Sequence, residues 1–374
     1  MTTVPKKLFA LGQSLWYDNI ERHLLNNGDL AAMIQRGDIY GVTSNPTIFN
    51  NAIANSKDYD EQIAQLAREG LDTSEIFDAL TVADIQAACD LFRPLYDSTR
   101  GGDGYVSIEV HPDLAGDTDA TSKEAARLWG LVDRPNLMVK IPATAAGVPA
   151  IRHSISAGIN INITLIFSRA RYAEVIEAYM AGLERRVENN LPIAHQASVA
   201  SFFVSRIDSK VDGWLDGIVR KGGAPAEKAS ALKGKLAVAN AKLAYQLFKE
   251  QFTSPRFKAM AKKGARIQRP LWASTSTKNE AYPDLLYVDN LVGSQTVNTV
   301  PQQTLDAVKD HGVPALSIEN DLDAAHQAIQ DLENLGLSLD QATAEVETEG
   351  VASFSKSIHA VFDTIKERSH TLVT

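Results

Sequence analysis

The stretch NLMVKIPAT, residues 136–144, sets Lys140 in the middle of an apolar, strand-like run that Pro142 follows two residues later. A strand alternates its side chains, so Met138 and Lys140 share one face and Val139 and Ile141 the other. On an exposed sheet such a lysine lays its stem along the strand and lifts its head into water. In an apolar pocket a lysine has another use. Its reference pKa of about 10.4 leaves only a few amines in roughly ten thousand neutral at pH 7, and each unit removed by desolvation raises that fraction about tenfold. The neutral amine attacks a ketone and forms a Schiff base, an electron sink for making or breaking a carbon–carbon bond. A carboxylate must then move protons at the carbinolamine, and Asp18 and Glu109 are of the required type.

Other polar residues close similar runs. Asp18 ends SLWYDN (14–19), Asn45 ends IYGVTSN (39–45), and Glu109 lies in YVSIEV (105–110). Lys140 follows in LMVKIP (137–142), Asn162 and Thr164 in INITLIFS (161–168), and Ser201 in SVASFFV (198–204). Each has an ordinary explanation. Asp18 would cap a helix starting at Asn19, Asn45 before Pro46 would make a turn, and Ser201 would bond a carbonyl. Six successive runs carrying acids, amides, hydroxyls and one amine are harder to explain as core, which does not need them.

Positioning these groups requires a scaffold. With RPLWAST (269–275) and SQTVNTV (294–300) the runs number eight, and helical patterns lie between them. The patterns include IERHLLNNGDLAAMIQRG, YDEQIAQLAREG and AEKASALKGKLAVANAKLAYQLFKEQF, with Asp84 and Ser168 placed as helix N-caps. The gaps after the second and sixth strands are wide and filled with helical pattern. The tail from about residue 320 reads as three helices that pack across the fold. The expectation is an α/β protein, one (β/α)8 TIM barrel over 1–374 with additional helices, whose chemistry sits at the C-terminal strand ends.

Composition narrows the function. The chain of 374 residues is 44% hydrophobic and 22% charged, as expected of a globular protein. A net charge of −9 argues against nucleic-acid or anionic-membrane surfaces. No run reaches the length of a membrane span, and MTTVPKKLFALGQSLWYDN is a poor secretory signal, so the cytoplasm is expected. Cys89, the one cysteine, excludes an intrachain disulfide and a thiolate-rich metal site. The eight histidines show no H-x-H or H-E-x-x-H spacing, and His111 alone lies near a strand end. Neither G-x-G-x-x-G after an early strand, nor a P-loop, nor G-x-S-x-G is present. No cofactor or metal is expected.

Together, GVTSNPTIF, VSIEV, NLMVKIPAT, INITLIFS and SFFVSRID, in that order, resemble transaldolase, and the length and helical tail resemble its longer bacterial subfamily. The resemblance runs from about Asp18 to the WASTSTKN and TVNTVP segments. It implies a cofactor-free enzyme of the pentose phosphate pathway. Such an enzyme passes a dihydroxyacetone unit from sedoheptulose 7-phosphate or fructose 6-phosphate to glyceraldehyde 3-phosphate or erythrose 4-phosphate. It implies that Lys140 is the Schiff-base lysine, that Asp18 is acid/base on the donor hydroxyl, and that Glu109 with Thr164 holds the water of carbinolamine chemistry. Asn45, Asn162 and Ser201 would bind the dihydroxyacetone hydroxyls, and Arg206 the phosphate through its fork. WASTSTKN departs from the family where a second phosphate-binding arginine is expected, offering Ser274, Ser276 and Lys278. The partners expected are sugar phosphates, with the chain a monomer or homodimer.

Two rivals remain at this level. An aldolase that releases free dihydroxyacetone would carry a tyrosine where this chain has Phe203. A sugar-phosphate-binding scaffold would keep Arg206 and lose Lys140 or its acids, all of which are present.

Overall fold

The computed structural model describes residues 2–373. Seven parallel strands form one curled sheet: β1 (Gln13–Tyr17), β2 (Val106–Glu109), β3 (Leu137–Pro142), β4 (Ile161–Ile166), β5 (Ser198–Phe203), β6 (Arg269–Ala273) and β7 (Thr296–Val300). Their order is β1-β7-β6-β5-β4-β3-β2. Nearly every strand residue is buried, as continuous apolar runs require when helices cover the sheet.

The second expected strand, 39–45, is reduced to a single bridging residue. Val42 pairs in parallel with Tyr17 of β1 and with Val106 of β2, so it joins the two edges of the sheet. The Tyr17 amide donates to the Gly41 carbonyl and the Val42 amide to the Tyr105 carbonyl, each at 2.9 Å. A side chain at 41 is excluded, since a Cβ there would lie 2.6 Å from the Trp16 indole. The segment is short because Asn45 immediately caps the helix Pro46–Asn55, its Oδ1 accepting from the Ile48 amide at 3.0 Å.

Helices fill the two wide gaps as expected. Three of them (Pro46–Asn55, Asp60–Arg68 and Thr73–Ser98) precede β2, and four (Ser205–Lys221, Ala224–Leu232, Leu236–Phe252 and Pro255–Ala261) precede β6. Two patterns expected as single helices are broken by glycines of positive φ, at Gly28 and Gly234. Ser168 caps Arg169–Glu188 as expected, accepting from Arg171. Asp84 does not cap. It lies inside Thr73–Ser98, whose cap is Asp72 in a capping box with Glu75, and instead pairs with Arg22 at 2.9 Å.

The tail forms two helices, Leu322–Asn334 and Leu339–Val373, where three were expected. Gly350 does not interrupt the second. A helix-interior glycine costs roughly 1 kcal/mol. Burial of Phe354, Ile358, Val361 and Ile365 along one face stabilises the helix by roughly 1.5–3 kcal/mol each. The last three form a satellite core with Ile53, Tyr59, Ile63 and Leu80. Arg368 closes the contact by donating to the carbonyls of Ala54 and Ser56 and pairing with Asp60 at 2.9 Å. Among the described residues no helix is long and apolar enough to cross a membrane.

Candidate active site

Parallel register sets the first contacts. Glu109 pairs with Lys140 and Lys140 with Asn162, so three polar residues stand side by side on β2, β3 and β4. Lys140 is 4% exposed. Its Nζ donates to Glu109 Oε2 at 3.0 Å and to the Ser44 carbonyl at 2.9 Å. The opposing carboxyls of Glu109 and Asp18 are both held above the usual carboxylate range, chiefly by burial, which outweighs the attraction of Lys140.

Lys140 faces a cavity of about 810 Å³ at the C-terminal ends of the strands. Asp18, Asn45, Thr164, Ser201, Arg206, Ser274, Ser276 and Lys278 line it as well. Asp18 follows β1 and does not cap a helix. Its Oδ1 accepts from the Thr43 hydroxyl at 2.6 Å, and that hydroxyl lies 2.6 Å from Thr299 Oγ1. Thr164 sits where the β4–β5 register shifts between Ile163 and Ile166, and Leu165 beside it has φ +57°. Such an irregularity re-aims a side chain at the strand end. The buried Thr164 Oγ1 and Glu109 Oε1 have no hydrogen-bond partner among the described residues.

Asn162 and Ser201 meet each other before they meet a ligand. Ser201 Oγ donates to Asn162 Oδ1 at 2.6 Å, and Asn162 Nδ2 donates to Ser107 Oγ at 3.0 Å. Ser201 lines the cavity, whereas Asn162 is fully buried behind it. Asn45 lines the cavity and spends its Oδ1 on the helix cap.

Arg206, which also lines the cavity, stands in the first turn of Ser205–Lys221. No carboxylate of the described residues lies within ion-pair distance of it, and burial pushes its pKa down from the ordinary value, countered by Glu349. Its Cζ lies 5.4 Å from the Phe203 ring and 6.0 Å from that of Phe354. An unpaired, partly desolvated guanidinium favours a bound anion. Ser274 follows β6 with φ +55° and its hydroxyl lies 2.9 Å from that of Ser205, which packs the 274–278 segment beside Arg206. Lys278 lies exposed at the rim. Further along the Arg206 helix, Asp208 accepts from the Ala237 amide at 2.8 Å and the Tyr287 hydroxyl at 3.0 Å. Burial raises this carboxyl to about 7.

Sequence reasoning did not single out Thr43, Ser44, Ser107, Thr299 or Phe354. The first two lie inside GVTSN and carried a local signal as hydroxyls beside Asn45. Phe354 carried none. It arrives from the C-terminal helix, 5.9 Å from ring centroid to Lys140 Nζ. Gly350, one turn earlier, permits the approach, because a Cβ there would lie 3.0 Å from Leu165 Cδ2 and 3.3 Å from Arg206 Nη1.

A buried lysine held by a carboxylate, with a second carboxylate and an arginine without an ion-pair partner on the lysine's cavity, supplies the groups that carbonyl chemistry on an anionic substrate requires. The family described as Transaldolase/Fructose-6-phosphate aldolase matches residues 15–365. A protein of Acidothermus cellulolyticus named Transaldolase is 51% identical over 358 residues, 96% of this chain and 94% of its own length. Proteins of the same name from Thiobacillus denitrificans and Trichodesmium erythraeum are 46% and 44% identical, across 96% of this chain and 98% and 95% of theirs. With the match extending through both strand ends and C-terminal helix, the chain belongs to the transaldolase/fructose-6-phosphate aldolase family.

Proposed function

We propose that the chain is a transaldolase of the pentose phosphate pathway that works through a Schiff base on Lys140. The observation that carries the assignment is the buried pair of Lys140 Nζ and Glu109 Oε2 at 3.0 Å, with Lys140 on the wall of a cavity that Asp18 and Arg206 also line. The Lys140 ammonium and the C2 ketone of fructose 6-phosphate or sedoheptulose 7-phosphate give an iminium and one water. Glu109 carries the protons between nitrogen and the departing oxygen. Glu109 Oε1 and Thr164 Oγ1, both without partners, suit a water at that step.

Asp18 then takes the proton of the C4 hydroxyl, the C3–C4 bond breaks into the iminium, and the aldose phosphate leaves. The enamine that remains attacks the aldehyde of glyceraldehyde 3-phosphate or erythrose 4-phosphate, and Asp18 returns the proton to the new hydroxyl. Asn45 Nδ2 and Ser201 hold the dihydroxyacetone hydroxyls, with Asn162 orienting Ser201. Arg206 holds the phosphate with Ser274 and Lys278, Ser276 standing near. Phe203 walls the cavity with an apolar ring that cannot activate water, so the enamine waits for an aldehyde.

As scaffold we take one (β/α)8 TIM barrel over 1–374, the Val42 bridge standing as its eighth strand and the helices from about 320 packing on it. Cytoplasmic work as a monomer or homodimer fits this reading. The test is borohydride reduction in the presence of fructose 6-phosphate, followed by peptide mass spectrometry. A dihydroxyacetone-derived adduct on the Lys140 peptide, lost when erythrose 4-phosphate is added first, is the expected result. Lys140→Ala should show neither adduct nor transfer. An adduct on no lysine of the folded protein would overturn the proposal.

A further inference from the structure

Glu109 stands at a second cavity. This hollow of about 270 Å³ lies between Thr73–Ser98, the end of β2 and the C-terminal helix, and Asn45 lines both it and the larger one. Ser44, whose carbonyl receives Lys140 Nζ, and Glu109 form its inner wall. Its outer residues, Ser74 and Arg127, are exposed, whereas Ile108, Leu128 and Ile358 at depth are buried. The hollow therefore runs from the surface to a carboxylate that is 3% exposed and whose Oε1 has no partner. The C-terminal helix separates the two spaces, turning Phe354 toward the larger one and Ile358 and Phe362 toward the smaller.

We infer that this second cavity is the passage by which water reaches and leaves Glu109 while the larger cavity is filled by sugar phosphate. The inference rests on the Schiff-base reading above. Each pass through the iminium releases one water, built from the ketone oxygen and two protons of the Lys140 ammonium, and each hydrolysis consumes one. With substrate seated over Lys140, the smaller space gives that water a route that does not cross the sugar.

The carbonyl oxygen reports the route. Fructose 6-phosphate labelled with oxygen-18 at C2 exchanges its label with solvent each time the released water escapes before the iminium is hydrolysed. In Ser74→Trp, at the exposed outer wall, and Thr81→Leu, deeper on the same helix, we expect label loss per transfer to erythrose 4-phosphate to fall at least severalfold, measured over the protein-free rate. Borohydride trapping on Lys140 should persist in both. An unchanged ratio of exchange to transfer in both folded variants would overturn the inference and assign water passage to the larger cavity. Failure to trap any adduct in the unsubstituted protein would instead overturn the Schiff-base reading.

Discussion

Both ends of the curled sheet bury a carboxylate beside a cation, and they treat the pair differently. At the N-terminal ends of the strands Asp103 accepts from Trp16 Nε1 at 2.7 Å, from Ser14, and from Arg269 at 3.0 Å. Arg269 also donates to Ser14 Oγ and the Thr296 carbonyl. Among the described residues neither partner carries a buried side-chain atom without a hydrogen bond. At the C-terminal ends Glu109 meets Lys140 with one oxygen and leaves the other unpartnered, and Thr164 Oγ1 on β4 is unpartnered as well among the described residues. A saturated network fixes β1 and β6 to the loop before β2. An unsaturated one has capacity left for a reacting group. The cations differ in the same sense, since a lysine can shed its proton and an arginine cannot.

Breaking the two pairs should therefore have opposite signatures. Glu109→Gln keeps the shape and removes the proton carrier, so kcat for transfer should fall by about 10²–10⁴-fold, with borohydride trapping slowed in parallel. Asp103→Ala should leave kcat per folded molecule within a few-fold but lower stability by about 3 kcal/mol, because Arg269 keeps its charge without its partner. Urea unfolding of both variants checks the contrast. It fails if Asp103→Ala loses activity without losing stability.

A third carboxylate sharpens the comparison, because Asp208 is balanced by an amide and a hydroxyl and not by a cation. Its folded-state pKa of about 7 lies above the ordinary 3.8. The folded protein thus binds the proton more tightly than the unfolded chain. The stability this contributes is complete below about pH 4 and is lost as pH rises through about 7, on the order of a few kcal/mol. Asp208→Asn should flatten that slope between pH 4 and 8 in urea titrations, and an unchanged slope would show that another group sets it.

The smallest effect is expected at Gly350. An added methyl meets the ends of Leu165 and Arg206, both flexible side chains, so Gly350→Ala should raise KM for the phosphorylated donor by less than about threefold. Stability should move by no more than about 1 kcal/mol, since the helix propensity of alanine offsets the crowding. A tenfold loss in kcat would mean that the helix must move during turnover.

Local chemistry was legible where it is written in consecutive residues. The strand runs around Glu109, Lys140, Thr164 and Ser201 emerged as strands because a short β-branched apolar run between helical patterns is a property of the run itself. The run around Val42 did not, since Asn45 and Pro46 start a helix almost at once and leave room for one bridge. Asp84 looked like a cap because acids suit helix starts, and only contact with Arg22 and Tyr59 explains it inside a helix.

By itself, the sequence determined the alternation of strands and helices and the polar residues near the strand ends, because periodicity and side-chain type are local. Only the tertiary structure decided that Glu109 and Lys140 stand in register, that Asn162 serves Ser201, and that Phe354 closes the wall beside Arg206. Those relations depend on which elements meet, and pairing distant segments is set by the packing of the whole chain.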